Sequence, residues 1–421
     1  MPLTDKERTN LRFEAGRVFT PSAPIDQKEL FAGRRSQVTR VVDVISQRGQ
    51  HGIIFGERGV GKTSLSNVLG PKLEAVGKTV LAPHVTCSSN STFASVWRSI
   101  FEKIVLSKQR DPTGFTGESQ TVNIDLVGSL GDNPTPEKIG AMLTEIGALA
   151  LLVIIVDEFD AMQDEASRRL FADTIKLLSD HAVRVTLILI GVAKDAESLI
   201  GKHESVERAL VQIYLPRMSR VELVEIINRG LKSLGMSTQD EVKTRIANMS
   251  RGLPHFTHAL SLHACREAID RDDLAISLAD VDAAVSKALD EAHASIKSAY
   301  GKAIYSPRKD NLYSQVLLAC ALAETSEMGF FSAADVREPM TRIMGKDYGI
   351  PNFIRHLYDF CLPDHGNVLE KEGTKHKMRF RFKSPLMQAH VVMRGVASKL
   401  VSATIFDDAS SLPSSVVMPD Q

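Results

Sequence analysis

The sequence has no surplus of charge of either sign: 51 Lys and Arg stand against 51 Asp and Glu, a formal net charge of +0. A uniformly basic nucleic-acid coat and a uniformly acidic mimic are therefore excluded, although a locally basic module is not. Cysteine is scarce. Cys87, Cys265, Cys320 and Cys361 lie far apart with no paired ligand spacing, which excludes a zinc knuckle and a disulfide framework and suits a reducing compartment. Long apolar runs are missing too. The longest uncharged one, Ile146 to Val156, falls well short of the roughly 20 residues a membrane span needs. The first residues, MPLTDKERTNLR, lack the apolar core of a secretory signal. A cytoplasmic protein with no membrane partner is the expectation.

What is present is an ordinary core-forming composition, with 43% hydrophobic residues over 421 positions. That length accommodates roughly two to four domains. Residues 1–30 are polar, with Pro21 and Pro24, and read as an arm laid on a domain. From Phe31 to about 217, short apolar strand runs (His51 to Phe55, Lys78 to Val85, Leu151 to Val156, Val185 to Ile190) alternate with amphipathic helices. This alternation predicts a three-layer, mainly parallel α/β sheet. Residues 218–298 carry only helical patterns, two of them opened by the cap pairs Ser219/Glu222 and Ser277/Asp280. After a linker-like 301–310, residues 305–400 read as three helices followed by a hairpin, which is winged-helix order. Residues 401–421 are Ser/Pro/Asp-rich and read as a disordered tail.

Gly56-Glu57-Arg58-Gly59-Val60-Gly61-Lys62-Thr63 fits G-x-x-x-x-G-K-[ST] between a predicted strand and a predicted helix. Backbone amides can close on phosphate oxygens only where glycine permits positive φ and close approach. Lys62 would reach the β- and γ-phosphates, Thr63 would offer a hydroxyl to Mg²⁺, and Ser64 would follow in the first turn of the helix, where the dipole favours anions. A second motif ends the apolar run Leu151 to Val156 with Asp157 and Glu158. Asp157 would hold Mg²⁺ and Glu158 would polarise an attacking water. No Asn-Lys-x-Asp guanine signature occurs, so ATP with Mg²⁺ is the expected cofactor pair and slow ATP hydrolysis the expected reaction.

With these motifs, the helical lid and the winged-helix-like end, the chain resembles AAA+ ATPases of the origin-recognition and replication-initiator branch, with features of signal-transducing (STAND) NTPases. The fold that the resemblance implies is a P-loop parallel-sheet core with an all-α lid and a C-terminal winged helix. Phe31-Ala32-Gly33-Arg34 resembles the F-x-G-R element beside the adenine, which makes Arg34 a cofactor-binding candidate. The segment His203 to Arg208 resembles the carrier of an arginine finger, which implies that Arg208 acts on the γ-phosphate of a neighbouring subunit. Arg251-Gly252-Leu253-Pro254-His255 resembles the second-sensor motif, with His255 where an arginine is usual. Gly191-Val192-Ala193 lacks the polar first sensor, which implies a switch rather than a motor.

Between Thr341 and Lys399, 11 Lys and Arg outnumber five Asp and Glu. Lys375, Lys377, Arg379, Arg381 and Lys383 alternate with Met378, Phe380 and Phe382, giving a strand one basic face. That pattern suits a wing on a phosphate backbone, with Arg355 on the third helix as a groove contact. A half-buried hairpin or a protein-docking surface fits the same residues. Two functions follow: an ATP switch that self-associates through nucleotide and contacts duplex DNA with its winged helix, or a STAND-like signalling ATPase that regulates a partner effector, as in a bacterial defence system, with no DNA affinity of its own.

Overall fold

The computed structural model describes residues 3–24, 32–74, 80–104, 107–110, 120–123, 126–192, 206, 208–308, 310–326, 328–374 and 377–406. The chain divides into two compact units: Arg34–Glu57 with Lys62–Leu215, and Met1–Gly33 with Arg58–Gly61 and Pro216–Gln421.

Helix α1 (Asp5–Val18), in the second of these units, opens on a capping box in which the Thr4 and Glu7 side chains each satisfy the other's amide. It occupies much of the stretch that reads as a polar arm. Only Ala15 and Val18 of this helix are buried, so its apolar periodicity is faint.

The first unit is an α/β sheet. In chain order its elements are α2 (Arg35–Ser46), β1 (His51–Gly56), α3 (Lys62–Glu74), β2 (Val80–Leu81), β3 (His84–Thr86) and α4 (Phe93–Glu102). There follow a hairpin of β4 (Ser107–Arg110) and β5 (Gln120–Asn123), then α5 (Leu126–Leu130), α6 (Pro136–Leu149), β6 (Leu151–Asp157), α7 (Glu165–Asp180), β7 (Val185–Val192) and β8 (Leu210–Tyr214). The sheet runs β2-β6-β7-β1-β8, with β3 also paired to β6, and its pairings are parallel. Parallel strands covered on both faces need continuous apolar runs, and β1, β6 and β7 are buried almost throughout. Where one strand is predicted over Lys78 to Val85, two short ones occur, β2 and β3, each paired with β6. The only tryptophan, Trp97 on α4, is fully buried and stacks on Phe171 of α7 at 5.8 Å.

The second unit continues with α8 (Arg220–Leu234), β9 (Ser237–Thr238), α9 (Asp240–Met249), α10 (Pro254–Asp270), β10 (Ala275–Ile276), α11 (Leu278–Glu291) and α12 (Ala294–Ile304). Both cap pairs expected from the sequence form as reciprocal capping boxes on α8 and α11. Helix α1 docks here: Arg8 and Arg12 pair with Asp272 and Asp270, and Phe19 packs edge-on against His258 at 5.9 Å. Gly230 makes room for that ring, since a Cβ there would lie 2.3 Å from Phe19 Cζ. The C-terminal part consists of α13 (Tyr313–Leu322), β11 (Phe331–Ser332), α14 (Ala333–Met344), α15 (Ile354–Asp359), β12 (Leu369–Glu372), β13 (Arg379–Phe382) and α16 (Pro385–Ala397), with an antiparallel sheet in the order β11-β13-β12. Helix α12 extends into residues 301–304, the start of the stretch that reads as a linker. The tail also differs from expectation as far as Phe406, which is buried and whose carbonyl accepts the Asn248 Nδ2 hydrogen bond at 2.7 Å. Residues 407–421 of the expected tail lie outside the described residues.

Candidate nucleotide site

Strand β1 hands directly into the glycine-rich loop. At its last residue, Gly56, a Cβ would lie 2.4 Å from the Leu215 carbonyl oxygen, and the Leu215 amide donates to the Phe55 carbonyl at 2.8 Å. Gly59 and Gly61 take φ of 85° and 95°, the left-handed region that glycine enters without steric cost. Lys62 opens α3, is buried, and donates from Nζ to the carbonyls of Gly56 at 3.1 Å and Glu57 at 2.8 Å. A phosphate would offer this ammonium stronger, charge-assisted acceptors than those carbonyls. Within the loop Val60 is buried and Arg58 is exposed. Thr63 and Ser64 are half-buried on the first turn of α3, where the helix dipole favours an anion.

Asp157 ends β6 and is buried. Burial opposes its ionisation, yet the nearby His84 imidazole, the Thr63 hydroxyl and the Glu158 amide together hold its carboxyl below the usual range. The Glu158 amide donates to Asp157 Oδ1 at 2.8 Å, whereas His84 Nε2 stands 3.7 Å from Oδ2, an electrostatic neighbour beyond hydrogen-bond reach. Glu158 is exposed and adopts φ 51°, ψ 38°. Asp160 Oδ1 accepts the Val192 amide at 2.8 Å, which ties the turn after β6 to the end of β7. The field of this acidic turn reaches Cys87, whose thiol is pushed up to about 12 by burial and by Asp157, Asp160 and Glu158.

A hydroxyl and an ionised carboxylate, Thr63 and Asp157, are hard oxygen donors of the kind Mg²⁺ takes. No group of three or more His, Cys, Asp or Glu that could hold a metal occurs among the described residues. The donor set therefore fits an ion that completes its shell with phosphate oxygens and water. His84 and Asp160 were not foreseen. Asp160 sits two residues beyond Glu158 and was legible there; His84 enters the site only through the pairing of β3 with β6.

The remaining predicted residues are dispersed. Arg34 is buried at φ 59° immediately before α2, while Phe31 lies outside the described residues. Arg208 is exposed in the turn before β8, beside Lys176, Ser179 and Asp180 of α7; residues 203–205 and 207 of its segment, and Ala193 of the expected first sensor, lie outside the described residues. His255 directs Nδ1 at the Pro21 carbonyl at 2.7 Å, so its ring is engaged by the N-terminal segment. On the hairpin, Arg379 and Arg381 stand opposite Glu372 and Glu370 in register. Arg381 pairs with Glu370 and both arginines lie over the Phe330 ring. Lys377 is exposed, Arg355 is exposed and 3.9 Å from Asp359, and Lys375 lies outside the described residues.

A family model described as novel STAND NTPase 1 (nSTAND1) matches residues 23–320. No curated protein sequence matches the chain. Among solved structures, the ORC2 protein of Aeropyrum pernix, in ADPNP–ADP complexes, aligns with a TM-score of 0.50 and 17% identity over 91% of this chain and 97% of that one. Cdc6p of Pyrobaculum aerophilum aligns at 0.46 and 12% (92% and 99% covered), and a Walker-type ATPase of Pyrococcus abyssi at 0.47 and 14% (90% and 99%). At 17% identity the likeness to the Aeropyrum pernix protein speaks for a shared fold alone. Among the described residues no helix is long and apolar enough to cross a membrane.

Proposed function

The chain belongs to the novel STAND NTPase 1 family, and from that premise we propose that it is a slow, Mg²⁺-dependent ATPase acting as a signalling switch on a partner protein. The observation that carries the reading is the meeting of the two motifs: the Lys62 ammonium held inside the glycine loop, and the Thr63 hydroxyl beside an ionised Asp157. Gly56 to Ser64 bind the phosphates, Asp157 and Thr63 hold Mg²⁺, Glu158 orients water, and Arg34 lies toward the base. Arg208, exposed before β8, reaches the γ-phosphate of a neighbouring copy in a nucleotide-dependent assembly. His255 is left out of this set because the Pro21 carbonyl occupies its ring nitrogen. Phosphate release measured for the wild type and Lys62→Ala tests the proposal. Mg²⁺-dependent turnover that vanishes in the variant is expected; equal rates in the two would refute it. Normal assembly and turnover in Arg208→Ala would remove the finger.

The charge pairing on the hairpin favours a protein partner over duplex DNA. A wing that grips phosphates needs uncompensated cations, whereas Arg379 and Arg381 face carboxylates and cover Phe330. The DNA-reading alternative keeps the winged-helix order of α13 to β13 and the exposed Lys377 and Arg355. It requires duplex binding that weakens steeply with salt.

A further inference from the structure

His84 stands beside Asp157 without a part in the chemistry proposed above. Its place is set by the ladder between β3 and β6. Their register puts Thr86 opposite Asp157, so His84, two residues earlier, shares the face of Thr86. Two backbone bonds bracket it: the Ile155 amide donates to the Pro83 carbonyl at 2.9 Å, and the Cys87 amide donates to the Asp157 carbonyl at 2.8 Å. Lys103 Nζ, at the end of α4, donates to the His84 carbonyl itself. The backbone that carries the imidazole is therefore fixed, on both sides, to the strand that carries Asp157.

The ring uses that fixed place in one direction. Nε2 is buried, has no hydrogen-bond partner among the described residues, and lies 3.7 Å from Asp157 Oδ2. The Asp157 side chain is only 3% exposed, and a carboxylate so shielded from water takes its orientation from the few polar groups that face it. Oδ1 is held by the Glu158 amide at 2.8 Å. A single bond lets the carboxylate swing about it, and Nε2 is the imidazole atom that faces the second oxygen. At 3.7 Å this is no hydrogen bond, yet an N–H dipole aimed at a buried anion still favours one orientation. Thr63, whose hydroxyl also acts on this carboxylate, belongs to the cation's own shell in the proposed chemistry; His84 does not.

We infer that His84 is a positioning residue for Asp157: its Nε2 N–H faces Oδ2 and holds the carboxylate in the orientation from which it serves a divalent cation. His84 thereby sets metal affinity, and not the affinity for nucleotide. This rests on the reading of Asp157 as the Mg²⁺ residue. Groups that orient a metal-holding carboxylate from behind typically account for about 10–100-fold in metal affinity.

The test counts Mn²⁺, which stands in for Mg²⁺ and is visible by EPR, on the full-length protein saturated with a non-hydrolysable ATP analogue. His84→Ala is expected to bind Mn²⁺ about 10–100-fold more weakly than wild type, while its affinity for the analogue in EDTA changes far less. His84→Gln, which keeps a side-chain N–H at similar reach, is expected to recover most of the Mn²⁺ affinity. In turnover, the half-saturating Mg²⁺ concentration of His84→Ala rises by more than kcat falls. A merely structural role would lower the thermal midpoint of both variants alike and restore nothing in His84→Gln. Undiminished Mn²⁺ affinity in His84→Ala, or no recovery in His84→Gln, overturns the inference. So does a His84→Ala protein that loses affinity for Mn²⁺ but not for Mg²⁺ in competition, since the imidazole would then be a ligand. Should His84→Ala fail to fold, undiminished Mn²⁺ affinity in His84→Leu overturns it equally. Mn²⁺ binding that depends on His84 in a protein without ATP turnover would sink the proposed function and leave this role standing. Normal turnover with Mn²⁺ binding indifferent to His84 would do the reverse.

Discussion

Glu158 is the residue at which stability and chemistry separate most cleanly. Its φ of 51° and ψ of 38° place a non-glycine side chain in the left-handed region, which costs about 1–2 kcal/mol. Its surroundings enforce that conformation. Its amide bonds Asp157 Oδ1, its carbonyl accepts the Ala161 amide at 2.9 Å, and Phe159 after it is buried against Phe171, with ring centroids 5.3 Å apart. Replacing Glu158 by glycine relieves the backbone cost, while glycine's freedom in the unfolded chain takes back roughly 0.5–1 kcal/mol. The exposed side chain adds little burial to lose. Glu158→Gly is therefore expected to be about 0.5–1 kcal/mol more stable than wild type, a rise in midpoint on the order of 1–4 °C. Glu158→Gln keeps the strain and should be neutral. Both should lose roughly 10²–10⁴ in turnover if the carboxylate polarises water. Urea unfolding followed by Trp97 fluorescence reports on the unit that carries Glu158, because that tryptophan is unique and fully buried there. A Glu158→Gly protein less stable than wild type would refute the strain argument, and wild-type turnover in Glu158→Gln would refute the chemical one.

Three further expectations concern packing, pH and the hairpin. Gly56→Ala drives a Cβ into the Leu215 carbonyl, 2.4 Å away, and should cost about 1–3 kcal/mol with loss of nucleotide binding; a melting curve matching wild type would contradict it. His51 is fully buried, accepts the Leu187 amide on Nδ1 at 3.0 Å, and has its pKa pushed down to about 4 by burial. Since the unfolded chain takes up that proton near pH 6.5, stability is full above that value and falls toward pH 4, by about 1.3 kcal/mol between pH 7.5 and 5.5; His51→Asn should flatten this slope by one proton in urea titrations, and an unchanged slope would count against it. On the hairpin, Arg381→Ala strips the partner from Glu370 and uncovers Phe330, an expected loss of about 1 kcal/mol, whereas the exposed Lys377→Ala should change stability by less than about 0.5 kcal/mol. The DNA-reading alternative requires these variants to lose salt-dependent duplex binding, measured by fluorescence anisotropy.

The core and its two motifs were legible because each is written in consecutive residues. Apolar runs bounded by glycine or carboxylate are sufficient for β1 and β6, and the glycine spacing carries the loop. Features that depend on partners distant in the chain were not legible. Helix α1 was hidden because two buried side chains over 14 residues leave almost no periodicity, although its Thr4/Glu7 cap was present in the sequence. Helix α6, by contrast, carries its start in consecutive residues, with Thr135 capping it and Pro136 opening it.

The basic strand shows the limit most sharply. Alternation correctly assigns Phe380 and Phe382 to the buried face and Arg379 and Arg381 to the other, but the meaning of those charges depends on the register of the opposing strand. The same alternation on β12 sets Glu372 opposite Arg379 and Glu370 opposite Arg381, and the second of these forms an ion pair. A shift of one residue would have set Lys371 against one of the arginines in place of a carboxylate. A local charge count therefore misleads on the hairpin, where Glu370 already pairs with Arg381 and Glu372 stands opposite Arg379 in register.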